Sequence, residues 1–268
     1  MTTRVCPACS TDNRQVRAHP YSRDEWQLKT CQKCRFVYLE NAPRYEDLDT
    51  SLAWEKSLPA EKVRRRKEEP LLHKLNAPIK RFRKHVMKRN KLAALVRKHF
   101  GPGAILDVGC GSGRRTAELG EIYIPHGVEI SSRLAAQAQE LFASRGGRVV
   151  HNDGVGGLAQ FPNDQFVGVI MCAYLEHEVQ PQRALQEGYR VLRPGGRLII
   201  KVPNYGSLNR RIRKDRWCGI RLPDHVNYFT PANLRQMVVA SGLQVAQFNA
   251  LDRIPSSDNM WLVAEKPR

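Results

Sequence analysis

From Ala104 to Gly120 the chain reads AILDVGCGSGRRTAELG. Ile105, Leu106 and Val108 make the short apolar run of a buried strand, and a glycine-rich turn and the start of a helix follow it. Glycine lets the backbone turn sharply, and without a Cβ it permits close approach at the carboxyl end of the strand. The spacing Asp107-x-Gly109-x-Gly111-x-Gly113 differs from the GxGxxG of dinucleotide-binding domains.

Outward from this stretch the pattern repeats. His126 to Ser131 (HGVEIS) reads as a second strand ending in an acid, and Glu129 lies twenty-two residues beyond Asp107. A carboxylate at that strand end can accept hydrogen bonds from both hydroxyls of a ribose. Arg148 to Asp153 (RVVHND) reads as a third strand, also ending in an acid, although Asp is common at turns as well. Phe166 to Met171 is the fourth strand, with Cys172-Ala173-Tyr174-Leu175-Glu176-His177 as the loop after it. Arg183 to Leu192 reads as a helix, Arg193-Pro194-Gly195-Gly196 as a tight turn and Arg197 to Val202 as a fifth strand.

These ordered elements across residues 104–203 resemble class I S-adenosylmethionine-dependent methyltransferases of the small-molecule type, related to the ubiquinone-pathway and sugar methyltransferases. The resemblance implies an α/β fold: a Rossmann-like seven-stranded sheet with helices on both faces. A helix opening at Pro231 and terminal strands at about 243–250 and 260–265 complete it. It assigns S-adenosyl-L-methionine to Asp107, Gly109, Cys110, Gly111, Gly113, Glu129, Ile130, Asp153, Gly154 and Cys172, with Glu129 on the ribose and Asp153 on the adenine amino group. The sulfonium brings an activated methyl, so the protein must align a nucleophile and, for a hydroxyl or carbon acid, take a proton. His225 and His177 are the candidate bases, and Tyr174 and Tyr228 the candidates to orient the acceptor. Cys172 lacks the preceding proline of covalent cytosine methyltransferases, and the fourth strand lacks the Asn/Asp-Pro-Pro-aromatic ending of enzymes that methylate exocyclic amines of bases.

The N-terminus carries Cys6-x2-Cys9 and Cys31-x2-Cys34. A CxxC bend lets two thiolates from one turn reach the same ion, and two bends close a tetrahedral shell with no open position. A structural zinc ribbon accounts for this better than redox chemistry, which needs one CxxC at a strand-to-helix junction. Seven cysteines, an odd number, also fit a disulfide framework poorly, which leaves Cys110, Cys172 and Cys218 as free thiols.

The net charge of +18 is local. Residues 54–100 carry sixteen Lys and Arg against four Glu, and residues 206–222 carry six against one Asp. Basicity confined to two segments points to an anionic partner there. Leu75, Ile79, Phe82, Val86, Ala93, Val96 and Phe100 fall mostly three or four apart, which predicts a basic amphipathic helix over about 77–100 whose apolar stripe packs on the following domain. The reading divides the chain into a zinc ribbon (1–42), a basic helical linker and helix (43–100) and a methyltransferase domain (101–268) with a basic lid at 206–230. With no signal-like or membrane-spanning apolar run, the expected setting is cytoplasmic, with peripheral contact to an anionic membrane surface as a further option. The expected acceptor is a small anionic molecule such as a nucleotide sugar, a glycolipid or a quinone-type precursor, held by the basic lid around Arg210 to Arg221, with Arg210, Arg211 and Arg213 as its test positions. The alternative is an RNA gripped by the zinc ribbon and basic segments, which the scarcity of aromatics among the cations disfavours.

Overall fold

The computed structural model describes residues 2–43 and 90–268. Its strands are β1 (Thr2–Thr3), β2 (Leu28–Thr30), β3 (Val37–Leu39), β4 (Asn41–Ala42), β5 (Gly103–Val108), β6 (Tyr123–Glu129), β7 (Val149–His151), β8 (Phe166–Cys172), β9 (Leu192–Pro203), β10 (Asn227–Tyr228), β11 (Gln244–Gln247) and β12 (Asn259–Glu265). The helices are α1 (Lys91–His99), α2 (Arg114–Ala117), α3 (Ser132–Ala143), α4 (Gly154–Leu158), α5 (Pro181–Val191), α6 (Leu208–Arg213) and α7 (Pro231–Ala240). Among the described residues no helix is long and apolar enough to cross a membrane.

Seven strands form the main sheet in the order β11-β12-β9-β8-β5-β6-β7. The pairs β5–β6, β6–β7, β5–β8 and β8–β9 are parallel, and β12 runs antiparallel between β9 and β11. Strand order therefore reverses at β5, and in such sheets ligands bind beyond the carboxyl ends of the strands at that switch point. Side chains alternate between two cores at a period of two. Ile105, Ile170, Ile199 and Val263 face a core covered by Leu92, Leu95 and Val96 of α1, whereas Leu106, Val169, Leu198 and Leu262 face the core that holds α5 and α7.

Asn90 caps α1 by accepting from the Ala93 N–H at 3.3 Å, and the apolar stripe of α1 packs on the sheet. The expected helix before Asn90, and the linker with it, lies outside the described residues. The fifth strand begins at Leu192 instead of Arg197, because the expected turn is a bulge within it. Phe166 pairs with Leu192, the register shifts before Gly168, and Gly195 sits at φ 74° while hydrogen-bonding Lys266 across the sheet.

The four-cysteine module is built into the fold. Asn227 of β10 pairs with Tyr38 and Tyr228 with Val37, so a strand from the segment after β9 completes a three-stranded sheet with β3 and β2. The segment read as a basic lid is thus fixed: Trp217, Ile220, Val226 and Tyr228 share a core with Leu28, Val37 and Leu39. Phe36 meets Phe229 edge-on, with ring centres 5.2 Å apart, and the Asn233 amide donates to the Cys34 carbonyl at 3.2 Å.

Trp217 is fully buried and its Nε1 donates to Asp258 at 2.7 Å. Trp217→Ala should destabilise the protein by about 3–5 kcal/mol, the usual cost of emptying an aromatic site. Because this core joins module and main domain, urea denaturation followed by separate probes in each should show one coincident transition shifted to lower urea. Two separated transitions would contradict the shared core.

Candidate active site

The glycine loop after β5 is held by its φ angles: Gly109, Gly111 and Gly113 lie at 73°, 58° and 74°, a region that side chains with a Cβ rarely adopt. At Gly113 a Cβ would come within 2.9 Å of the Phe142 ring of α3, so this glycine also lets α2 and α3 close together. At Gly111 a Cβ would meet nothing within 4 Å and the residue lines a cavity of ≈ 550 Å³. Backbone at that point is open to a ligand.

Glu129 ends β6 at the cavity wall, buried, with one oxygen accepting from the Gly111 N–H at 2.8 Å and the other from the Ser131 N–H at 3.0 Å. The acid predicted for the ribose therefore also pins the glycine loop. Asp107 is buried at the end of β5 and accepts from the Thr116 hydroxyl. Burial pushes its carboxyl up to about 6, with that hydroxyl acting in the opposite direction. Cys110, Ile130, Gly154 and Cys172 also line the cavity. Cys172 accepts from Arg115 at 3.3 Å, and burial raises its thiol.

Asp153 is placed differently from the expectation. Its carboxylate caps α4, accepting from the Gly156 N–H at 2.8 Å, and the neighbouring Asn152 lines the cavity instead. An acid beyond a strand serves the following helix when it falls at the N-cap, where it satisfies an otherwise unpaired N–H.

Beyond β8, Ala173 takes φ 61° and turns Tyr174 across the loop. The ring fits between two glycines: a Cβ on Gly109 would lie 3.3 Å from Tyr174 Cδ2, and one on Gly154 would overlap the Tyr174 hydroxyl. That hydroxyl donates to Glu178. His177 lies on the same wall, with Nδ1 3.0 Å from Asp224 Oδ1 and 2.9 Å from the Asp224 carbonyl. Burial acts to lower the His177 pKa, but the Asp224 carboxylate outweighs it and holds the imidazole up at about 9. Burial likewise acts to raise Asp224, yet the charge of His177 keeps it well below the usual carboxylate range. Arg221 pairs with the other Asp224 oxygen.

His225 and Tyr228 do not reach the cavity. His225 is buried behind His177, ring edge to ring face at 4.8 Å, and its Nδ1 donates to the Gly219 carbonyl at 2.8 Å. Burial, and then the His177 charge, lower its pKa to about 3, so it stays neutral and supports its neighbour. Tyr228 points into the core shared with the module and meets the Tyr205 ring at 5.6 Å, because pairing of β10 with β3 fixes which way its side chain faces. Nor do Arg210, Arg211 and Arg213 line the cavity; Arg210 lies over the Tyr205 ring and donates to the Tyr205 carbonyl at 2.7 Å. The arginines on the wall are Arg114, Arg115 and Arg221. Arg221 belongs to the expected basic lid, whereas Asp224, next to His225 in sequence, was given no role.

A family model described as a methyltransferase domain matches residues 79–247, which is more than half of the chain. The chain belongs to the methyltransferase-domain family. An O-methyltransferase of Penicillium expansum, cnsE, is 34% identical over 100 residues, 36% of this chain and 36% of that protein. This chain spans between 32% and 38% of the length of three of the curated relatives it matches. Among solved structures, a methyltransferase of Bacillus halodurans C-125 described as putative superposes with TM-score 0.53 at 15% identity, covering 67% of this chain and 100% of that one. The cyclase SpnF superposes with TM-score 0.52 at 20% identity, covering 66% and 80%. These likenesses establish the fold of this methyltransferase domain.

The open face of Gly111 and the carboxylate of Glu129 beside it fit an S-adenosyl group. Glu129→Ala removes the acid and releases the Gly111 N–H, so calorimetry should find S-adenosylhomocysteine bound about 10- to 150-fold more weakly, by the roughly 1.5–3 kcal/mol of a hydrogen bond to a charged group. Unchanged affinity would remove Glu129 from the site.

Proposed function

We propose that this methyltransferase domain transfers the methyl group of S-adenosylmethionine to an oxygen of a small acceptor, with His177 as the base. The observation that carries the reading is the His177–Asp224 pair on the wall of the cavity that also holds the glycine loop and Glu129. When bound, S-adenosylmethionine supplies a methyl carbon with a neutral thioether as its leaving group. Asp224 fixes the imidazole through Nδ1, which leaves Nε2 as the ring nitrogen turned away from that carboxylate. The neutral imidazole, whose share grows as pH rises towards about 9, would take the hydroxyl proton at Nε2 as the acceptor oxygen bonds to carbon, so turnover should climb with pH up to that value. The resulting imidazolium is stabilised by Asp224, the orienting role a carboxylate plays behind a histidine base. Tyr174, braced by Glu178, lies between the glycine loop and His177 and is suited to align the hydroxyl. Arg221, the last arginine of the expected lid and already paired with Asp224, is the lid arginine placed to meet an anionic acceptor. Relatives named O-methyltransferases support oxygen as the atom methylated.

For the module we propose one zinc ion held by Cys6, Cys9, Cys31 and Cys34. Their sulfur atoms lie within 4.8 Å of one another, with Cys6–Cys34 and Cys9–Cys31 at 3.5 Å. A tetrahedron with Zn–S bonds of about 2.3 Å has edges of about 3.8 Å, so the sulfurs fit this ion. All its corners are thiolates, so its contribution is to fold the module. Elemental analysis should find about one zinc per chain, as a closed four-thiolate shell requires. Metal-free protein with an intact, protease-resistant N-terminus would contradict this.

His177 offers a test that does not depend on the acceptor. Its imidazole should titrate by NMR near pH 9, and Asp224→Asn should bring it down towards or below its ordinary value. Because the folded pKa is raised, the ion pair stabilises the protein fully below the unfolded value of about 6.5 and is lost as pH rises through about 9. His177→Asn should lower turnover of any hydroxyl acceptor by about 10²- to 10⁴-fold, the scale of a lost general base, with cofactor affinity unchanged. Titration near 6.5 in both proteins, or full turnover by the variant, would refute the assignment.

A further inference from the structure

The segment after β9 leaves a surface that neither the cavity nor the module uses. None of the six residues of α6 is buried. Leu208 and Ile212, one turn apart on the same face, are 47% and 78% exposed. The Leu208 N–H donates to the Pro255 carbonyl at 2.8 Å, and the Asn209 amide donates to the Ser256 carbonyl at 3.1 Å, so this face continues into the loop before β12. In that loop Leu251 is 74% exposed and Ile254 is 40% exposed. Four large aliphatic side chains thus stand in water along one edge of the fold, a cost that soluble surfaces seldom bear in a cluster.

Cations surround them. Arg211, Lys214, Arg216 and Arg253 are all exposed. The neighbouring acids are engaged elsewhere: Asp215 lies 3.7 Å from Arg23, Asp252 pairs with Lys91, and Asp258 accepts from Trp217 and Asn209. The patch also lies on the cavity's edge of the sheet, since α6 follows the carboxyl end of β9 and Asn259 of β12 pairs with Pro203 there.

We propose that this patch docks the protein on an anionic lipid bilayer, with Leu208, Ile212, Leu251 and Ile254 entering the headgroup region and the flanking cations meeting lipid phosphates. Aliphatic side chains ringed by Lys and Arg match an interface that is apolar within and negative at its rim. Residues 208–216 and 250–255 contain no aromatic side chain on which a base could stack, so RNA is a poorer fit. A second copy meeting this patch would set like charges against each other. The inference stands independently of the acceptor and of the proposed base.

The test is flotation of the full chain with vesicles of phosphatidylcholine alone and with a third of phosphatidylglycerol. Wild type should float with the anionic vesicles and stay behind with the neutral ones. Arg211→Ala with Arg253→Ala should weaken partitioning about 25-fold, at about fivefold per cation near a charged surface. Ile212→Ser with Leu251→Ser should weaken it by about tenfold or more through lost apolar burial. Both pairs are exposed, so an unchanged melting temperature and S-adenosylhomocysteine affinity verify that the variants are folded. Flotation that is absent, independent of lipid charge, or equal among the three proteins overturns the proposal. So does retention on RNA at physiological salt by a protein that does not float.

Discussion

The backbone carbonyls of the loop after β8 must find donors, because this loop leaves the sheet in a buried place where water cannot serve. Asn227 supplies them. Its side-chain amide donates to the carbonyls of Leu175 at 2.8 Å and Glu178 at 2.6 Å, while the N–H groups of Val226 and Asn227 both reach the Glu176 carbonyl. On its other edge the same two-residue strand pairs with β3. Arg4 locks the joint by donating to the carbonyls of Leu39, Val226 and Val179 and to Asn227 Oδ1. The loop that carries Tyr174, His177 and Glu178 therefore hangs from a strand whose other side belongs to the cysteine module.

This arrangement lets the module support a cavity wall from which its cysteines are remote in sequence. Three residues before β10, the chain has placed Asp224 against His177, with His225 beneath it, so any shift of β10 moves the partner that sets the imidazole's charge. Glu176, buried in the same loop and raised by that burial, lies close enough that the position of His177 matters to both. The glycine-loop wall and the His177 wall of the cavity are thus supported differently. The glycine loop is fixed by its own φ angles and by Glu129, all within the main sheet, whereas the His177 wall depends on contacts from residues 4 and 224–228.

The cofactor side was legible in the sequence because its information is local. Asp107, the three glycines and Glu129 follow from a strand, a turn and a strand end, each read within a few residues. Asp153 stands where it was read, after the third strand, and the contact it makes there is the N-cap of α4, a position that a helix-capping acid and a ligand-binding acid share. The acceptor side was not legible in the same way. His177 and Asp224 are 47 residues apart, and the strand joining them to the module is two residues long, too short for any periodicity to show. The charge of residues 206–222 suggested a lid, but Trp217 and Ile220, hidden among the cations, commit that segment to a core.

The dependence of the His177 wall on the module is the centre of this account, and hydrogen exchange on Arg4→Ala addresses it most directly. Arg4 belongs to the module, far in sequence from the loop, and is neither one of the residues lining the cavity nor one of the four cysteines. The account predicts faster exchange at the amides of His177, Val226 and Asn227 as well as at Leu39, with the glycine loop unchanged. Acceleration confined to residues 2–42 would show that the loop after β8 stands without the module, and would contradict it.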